Sequence, residues 1–177
     1  LNAAAVLAVG LELGLTPTAL IDGLIKFHGA GRRFELKGTV NGIRVIDDYG
    51  HHPTEIKVTL EAAKRYAGGG RILVIFQPHR YSRTKAFIDQ FAESLSMADS
   101  IWLLEVYAAN EQPISGVSSA NIAKKLKHAK FEPNFLAVTE AVAQEAKAGD
   151  VIITLGAGDV SSLGPLILDE LNKIHGK

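Results

Sequence analysis

Titratable side chains are concentrated in the segment DDYGHHP, residues 47–53, which holds two carboxylates, one phenol and two imidazoles. The apolar run IRVI precedes it, so the segment follows a predicted strand. Tight turns seldom contain two histidines, because an imidazole adds little to turn stability. A metal site fits poorly, since adjacent side chains diverge and no third ligand stands at a standard spacing. These residue types predict a rim loop of a binding or active site.

A second cluster, QPHRYSRT at residues 77–84, follows the apolar run RILVIF and places Arg80 and Arg83 near a predicted helix start. The helix dipole disfavours cations at that end, where unpaired N–H groups already attract anions. Two guanidinium groups there therefore predict a bound carboxylate or phosphate, which an arginine fork holds through two hydrogen bonds.

Three weaker signals complete the set of candidate residues. LEVYAANE (104–111) and GAGD (156–159) each follow a further apolar run. GAGD lacks the G-x-G-x-x-G spacing, so it either admits a ligand to the backbone or only makes a tight turn. Arg32 and Arg33 precede the first predicted strand, and composition alone favours reading both as surface charges.

Hydrophobic periodicity predicts which elements position these clusters. Asn41-Gly42 between two apolar runs predicts a β-hairpin. The predicted helices span 2–14, 16–27, 54–66, 84–97, 118–129, 139–147 and 161–174, and the predicted strands after the hairpin span 71–76, 100–106, 134–138 and 150–155. Thr16 and Thr139 are the predicted N-caps of their helices, and Gly29 and Gly31 break the chain.

Continuous apolar strands that alternate with helices predict a parallel sheet covered on both faces. The fold class is therefore α/β: a Rossmann-like, doubly wound and mostly parallel sheet with an N-terminal β-hairpin strand, preceded by two helices. Ligands of such sheets bind beyond the carboxyl ends of the strands. Since every polar cluster follows a strand, we expect the clusters to meet at that edge.

Composition narrows the classes of function. Lys plus Arg equals Asp plus Glu, 19 each, so broad electrostatic binding of nucleic acid or an anionic membrane is not expected. The absence of cysteine excludes disulfides and cysteine-ligated zinc. There is no P-loop motif and no nucleophile elbow, so we expect the chain to supply part of a site and to be a fragment of a longer protein.

These motifs together resemble the C-terminal portion of the Mur ligases. The segments that carry the resemblance occur in the order that the family shows: GRRFE (31–35), DDYGHHPTE (47–55), QPHRYSRT (77–84), LEVYAANE (104–111) and GAGD (156–159). The resemblance implies that residues 1–30 are the helical end of a central ATPase domain. It also implies that residues 31–177 are the Rossmann-like C-terminal domain, which closes over the other two domains of the enzyme.

The resemblance also implies a reaction. Family members are cytoplasmic, ADP-forming ligases that use ATP and Mg²⁺ to phosphorylate a carboxylate, and an amino acid's amine then attacks the acyl phosphate. The motifs are most similar to members that join L-alanine to UDP-N-acetylmuramate. The metal ligands and the P-loop are expected in the central domain, so this fragment should be inactive alone.

On the nucleotide side, the resemblance assigns Arg33 to the transferred phosphate of ATP as the catalytic arginine. It assigns Asp48 to the ribose and places Tyr49 beside both the nucleotide and the L-alanine sites, within reach of either. Asn2 is similar to an asparagine of the central domain that lies near ATP.

On the amino-acid side, the resemblance assigns His51, Arg80 and Arg83 to the carboxylate of L-alanine. Two alternatives stay open. One is the sibling ligase that attaches recycled murein tripeptide and shares a similar HHP loop. The other is a non-enzymatic module that binds a carboxylate or a nucleotide. A dinucleotide dehydrogenase fits poorly, because the glycine fingerprint after the first strand is missing.

Overall fold

The computed structural model describes residues 2–27 and 30–176, which fall into two compact units, Leu1–Gly31 and Arg32–Lys177. The predicted break at Gly29 lies outside the described residues. The first unit is a helix pair, α1 (Asn2–Glu12) and α2 (Pro17–Ile25). Thr16 caps α2 as predicted, its Oγ1 accepting from the backbone N–H of Ala19 at 3.3 Å. Among the described residues, no helix is both long and apolar enough to cross a membrane.

The second unit is built on a six-stranded sheet. Its strands are β1 (Glu35–Val40), β2 (Ile43–Asp48), β3 (Ile72–Phe76), β4 (Ser100–Leu103), β5 (Ala129–Phe131) and β6 (Val151–Leu155). Their spatial order is β1-β2-β6-β3-β4-β5. The hairpin strand β1 is antiparallel to β2, and all other neighbours are parallel. This is the predicted α/β architecture.

Helices cover both faces of this sheet. In chain order they are α3 (Pro53–Ala67), α4 (Tyr81–Ala86), α5 (Ile88–Leu95), α6 (Ser119–Ala123), α7 (Phe135–Glu145), a short 3₁₀ helix (Asp159–Ser162) and α8 (Leu163–His175). Alternate residues of β3 point to opposite sides: Ile72, Val74 and Phe76 pack with α3, α5 and α6, whereas Leu73 and Ile75 pack with α7 and α8. Apolar layers therefore cover both faces of the sheet.

The strand predicted at 134–138 is wrong, because those residues begin helix α7. Asn134 is the N-cap, and its Oδ1 accepts from the backbone N–H groups of Leu136 at 2.9 Å and Ala137 at 3.1 Å. Thr139 is consequently not a cap but lies inside α7, donating from its hydroxyl to Phe135 O at 2.8 Å. A short apolar run fits a strand or a buried helix equally well, and here the capping bonds decide.

Three predicted helices also differ from those observed. Residues 118–129 form only the five-residue helix α6, and the edge strand β5 occupies the end of that segment. Residues 84–97 form two helices, α4 and α5, because the backbone of Phe87 leaves the helical conformation (φ −122°, ψ 21°). The last helix is preceded by the 3₁₀ turn.

The register of the sheet aligns the strand ends that carry the polar loops. Asp48 is paired with Leu155, Leu155 with Phe76, and Phe76 with Leu103. The last residues of β2, β6, β3 and β4 therefore stand at one level, and the loops after them leave the sheet side by side.

Candidate functional site

Asp48, the last residue of β2, organises the first loop of the site. It is 9% exposed, and its Oδ2 accepts from the backbone N–H of Phe34 at 2.8 Å. Its Oδ1 accepts from the N–H of Gly50 at 2.8 Å and from Thr59 Oγ1 at 3.1 Å. A Cβ at Gly50 would lie 2.8 Å from Asp48 Oδ1, so a larger residue there would displace this carboxylate. Asp48 thus ties three segments together around one carboxylate.

Arg32 makes an equivalent connection on the other side of β2. Its Nε lies 3.0 Å from Oδ2 of Asp47, which is 1% exposed and also accepts from Thr154 Oγ1 at 2.7 Å. Its Nη2 donates to Gly156 O at 2.6 Å, and its guanidinium lies over the Tyr49 ring at 5.1 Å. The reading of Arg32 as a surface charge is therefore wrong, because it is a half-buried connector between three loops.

An open cleft of about 420 Å³ lies beside these connectors. Its walls come from the segment before β1, the loop after β2 and helix α3, and they include Arg33, Asp48 and Tyr49. The Arg33 side chain is exposed, and Tyr49 is 44% exposed. A cleft of this volume, with apolar walls and a few polar groups, is the kind of space that small-molecule ligands occupy.

The two adjacent histidines have different surroundings. His52 is the N-cap of α3, and Glu55 closes a capping box by accepting from the backbone N–H of His52 at 3.0 Å. The same carboxylate accepts from the N–H of His51 at 2.9 Å. Burial raises the pKa of Glu55, but these two N–H groups outweigh it and leave that pKa below its usual value. His52 and Glu55 therefore fix the helix start, while the His51 ring belongs to the site.

Four rings from three loops form a continuous row, which we name the ring row: Tyr49, His51, His79 and Tyr107. The ring centroids of Tyr49 and His51 are 5.2 Å apart, and those of His51 and His79 are 5.7 Å apart. His79 is stacked on Tyr107 with centroids 5.5 Å apart and planes at 13°. The ring row joins the loops after β2, β3 and β4 along the carboxyl edge of the sheet.

Arg83 lies against this row. Its Nη1 is 3.3 Å from His79 Nδ1 and 3.4 Å from His79 O. Burial lowers the pKa of His79, as do the charges of Arg83, His51 and Arg80, so at neutral pH the imidazole is neutral and Nδ1 can accept from Arg83. The geometry holds a half-buried guanidinium at the edge of the sheet, where it can bind an anion.

The loop after β4 is bonded to the loop that carries the arginines. Tyr107 N donates to Pro78 O and Arg80 N donates to Tyr107 O, both at 2.8 Å. Arg80 has a positive φ of 74°, which is uncommon for a residue with a side chain, and its side chain is exposed. The backbone of this loop is thus held both by the loop after β4 and by α4, where Thr84 donates to Arg80 O from its N–H at 3.0 Å and from its hydroxyl at 2.8 Å.

GAGD is a close-packed turn. A Cβ at Gly158 would overlap the side chains of Gln77 and Tyr107, and Gly156 has φ 145° with its N–H donating to Asp48 O at 3.1 Å. Gln77 Nε2 donates to Asp159 Oδ1 at 2.6 Å. Of the two readings of this motif, the geometry favours the tight turn.

Most of the sequence-predicted site residues meet at this edge. Asp48, Tyr49, His51 and Arg83 take part directly in the contacts above, and Arg33 and Arg80 are exposed on the same loops. Asn2 is exposed and belongs to the helix pair, not to the sheet unit. The sequence did not predict a role for Arg32, His79, Tyr107 or Glu111, although these residues lie within the motifs GRRFE, QPHRYSRT and LEVYAANE. Among residues 2–27 and 30–176, no group of three His, Cys, Asp or Glu could hold a metal ion.

Known proteins resemble this chain in both sequence and structure. A UDP-N-acetylmuramate–L-alanine ligase from Mycolicibacterium smegmatis is 51% identical over 174 residues, which are 97% of this chain and 36% of that protein. The crystal structure of a UDP-N-acetylmuramate–alanine ligase from Thermotoga maritima matches with a TM-score of 0.79 at 29% identity, covering 98% of this chain and 37% of that one.

A murein peptide ligase from Psychrobacter arcticus matches with a TM-score of 0.69 at 26% identity, covering 96% of this chain and 36% of that one. The chain thus spans little more than a third of the length of these relatives. The family model described as Mur ligase, glutamate ligase domain, matches residues 32–158, which include every loop of the edge described above. The chain belongs to the Mur ligase family.

Proposed function

We propose that this chain is the C-terminal portion of a cytoplasmic, ATP-dependent ligase that joins L-alanine to UDP-N-acetylmuramate. Residues 1–30 would be the helical end of its central ATPase domain, and residues 31–177 its C-terminal domain. The observation that carries the proposal is the juxtaposition, at one sheet edge, of a cleft of nucleoside size with a guanidinium held beside the ring row. The relative that is 51% identical and is named for this reaction supports it.

The proposed reaction has two steps. The carboxylate of UDP-N-acetylmuramate attacks the γ-phosphorus of ATP, which forms a C–O–P bond and releases ADP. The amine of L-alanine then attacks the acyl carbon, a C–N bond forms, the C–O bond to phosphate breaks, and the amine loses a proton. Mg²⁺ would neutralise the phosphates. Its ligands would lie in the central domain, as the family resemblance implies.

The nucleotide would occupy the cleft beside α3. Three of the hydrogen-bond positions of the Asp48 carboxylate are used within the protein, and about four exist, so one remains for a ribose hydroxyl. Tyr49 would lie against the nucleotide, and the exposed Arg33 would reach the transferred phosphate. Asn2 would approach ATP from the central domain.

L-Alanine would bind at the ring row. Arg83 and Arg80 would hold its carboxylate, since a guanidinium binds a carboxylate through two parallel hydrogen bonds. His51 would contact the same carboxylate from the loop after β2. Held in this way, the amine points away from the arginines and towards the acyl phosphate, and such alignment contributes much of the rate of a bimolecular step.

The experiment is ADP release by the full-length ligase with UDP-N-acetylmuramate and one amino acid at a time. We expect release with L-alanine that depends on both substrates. The sibling reaction predicts release with murein tripeptide instead, and a binding module predicts no release with any of them. Either of those results would contradict the proposal.

A further inference from the structure

Glu111 lies at the end of the loop after β4 and is bonded to the first turn of α4. Its Oε2 accepts from the backbone N–H of Ser82 at 2.9 Å, and its Oε1 accepts from Ser82 Oγ at 2.6 Å. The two residues are 29 positions apart in sequence. The bonds to Ser82 lower the pKa of Glu111, and the positive charge of Arg80 contributes to the same shift, so the carboxylate is ionised at neutral pH.

The backbone directly before Glu111 has a left-handed conformation. Ala109 and Asn110 have φ values of 49° and 68°, a left-handed conformation that is unfavourable for a residue such as alanine and better tolerated by asparagine. Strain of this kind persists where surrounding contacts compensate for it. The paired bonds to Ser82 are such contacts, together with the backbone bonds of Tyr107 to Pro78 and Arg80.

We propose that Glu111 is a positioning residue for the carboxylate-binding arginines. It holds Ser82, which stands between Arg80 and Arg83, and so fixes the turn from which both guanidinium groups project. Without it the N–H and hydroxyl of Ser82 bond to water and α4 still forms, but the turn that carries both arginines loses its bonds to the loop after β4. The inference rests on the proposed function, because it assigns Glu111 to the amino-acid site of that ligase.

A negative charge close to a site for a carboxylate would by itself weaken binding. The contact with Ser82 explains its presence, because both oxygens are directed at donors on α4 rather than at the site. Glutamine has the same shape: its oxygen can accept from Ser82 N–H while its amide donates to the hydroxyl. Glu111→Gln therefore separates the hydrogen bonds from the charge.

The test is steady-state kinetics of the full-length ligase with Glu111→Ala, Glu111→Gln, Ser82→Ala and the double variant Glu111→Ala/Ser82→Ala. We expect Glu111→Ala to raise the KM for L-alanine about tenfold and to leave the KM for ATP unchanged. Glu111→Gln should restore the alanine KM. The double variant should resemble Glu111→Ala alone, because both changes remove the same contact.

Three results would overturn the inference: an unchanged alanine KM in Glu111→Ala, a Glu111→Gln variant as impaired as Glu111→Ala, or an equal rise of both KM values. Arg83→Ala in parallel identifies what has failed. If Arg83→Ala raises the alanine KM and Glu111→Ala does not, the inference alone is wrong. If neither variant changes it, the alanine site is misplaced and the inference falls with it.

Discussion

At the residue scale, the neighbours Asp47 and Asp48 have different roles at the end of the same strand. Successive side chains of a strand point to opposite faces, so the two carboxylates diverge. Asp47 is paired with Arg32 and Thr154 beneath the loops, whereas Asp48 faces Thr59 of α3 and the cleft. The two adjacent acids therefore differ: Asp47 connects segments of the fold, and Asp48 is the candidate ligand of the ribose.

The first prediction concerns Asp48. Asp48→Ala leaves the N–H groups of Phe34 and Gly50 without their acceptor, and we expect it to lower the free energy of unfolding by about 2 kcal/mol and to weaken ATP use. Thr59→Val removes one donor to the same carboxylate but keeps the acceptor of both N–H groups, so it should lower the free energy of unfolding by less. Urea unfolding and the ATP KM measure the two effects, and an unaltered ATP KM in Asp48→Ala would remove the ribose assignment.

The second prediction concerns His79, whose pKa lies below its ordinary value of 6.5. The pKa of His79 is 6.5 in the unfolded chain and lower in the folded chain, so between the two values only the unfolded chain binds the proton. The contribution of neutral His79 to stability is therefore complete above pH 6.5 and is lost as the pH falls towards the lowered pKa. We expect the urea midpoint to fall between about pH 7.5 and about pH 5.5, and to fall less in His79→Gln. Carboxyl groups whose pKa is lowered, such as those of Glu55 and Glu111, titrate below pH 4.5, which is outside this window. Identical pH profiles for the two proteins would contradict the assignment.

Residue identity and position alone predicted an anion site at Arg83, because a cation near a helix start needs a partner, and a rim loop that includes Asp48. The ribose role of Asp48 came only from the family resemblance. Residue identity could not separate Arg32 from Arg33. Their difference depends on the backbone, which has φ 58° at Arg32 and φ 48° at Phe34 and turns one side chain towards Asp47 while the other stays exposed. Such left-handed conformations at residues other than glycine leave no mark in the sequence.

At the scale of elements, the apolar strands and the hairpin were predictable, and the short helices were not. β3 and β6 are fully buried apolar runs bounded by polar residues or glycine, which is the clearest signal for a central strand. The segment 134–138 carries the same kind of run, but Asn134 caps it as a helix. Residues 118–131 contain a five-residue helix and a three-residue strand, both too short for a periodic pattern to reveal.

The third prediction tests the cap that decided between helix and strand. Asn134→Ala removes the acceptor of two N–H groups at the start of α7, and we expect it to lower the free energy of unfolding by about 1 kcal/mol. Ser118→Ala is the control, because Ser118 holds the N-cap position of α6 without a side-chain capping bond, and its effect should stay within about 0.5 kcal/mol. Equal effects of the two substitutions would show that the Asn134 side chain does not stabilise α7.

At the scale of the whole sheet unit, the register of the sheet brings the site together. Four strands end at one level, so motifs that are separated by tens of residues leave the sheet as neighbours. The convergence was predictable from the parallel topology, because parallel strands share a carboxyl edge. The bonds between the loops were not, since the ring row and the Glu111–Ser82 contact depend on loop conformations that no periodicity encodes.

The most direct measurement is the KM for L-alanine of the Arg83→Ala variant of the full-length ligase, determined beside its KM for ATP. If this edge of the sheet binds the amino acid, the KM for alanine should rise by roughly ten- to a hundredfold, because a pair of charge-assisted hydrogen bonds is lost. The KM for ATP should remain that of the unaltered enzyme. An alanine KM that does not move would contradict the account.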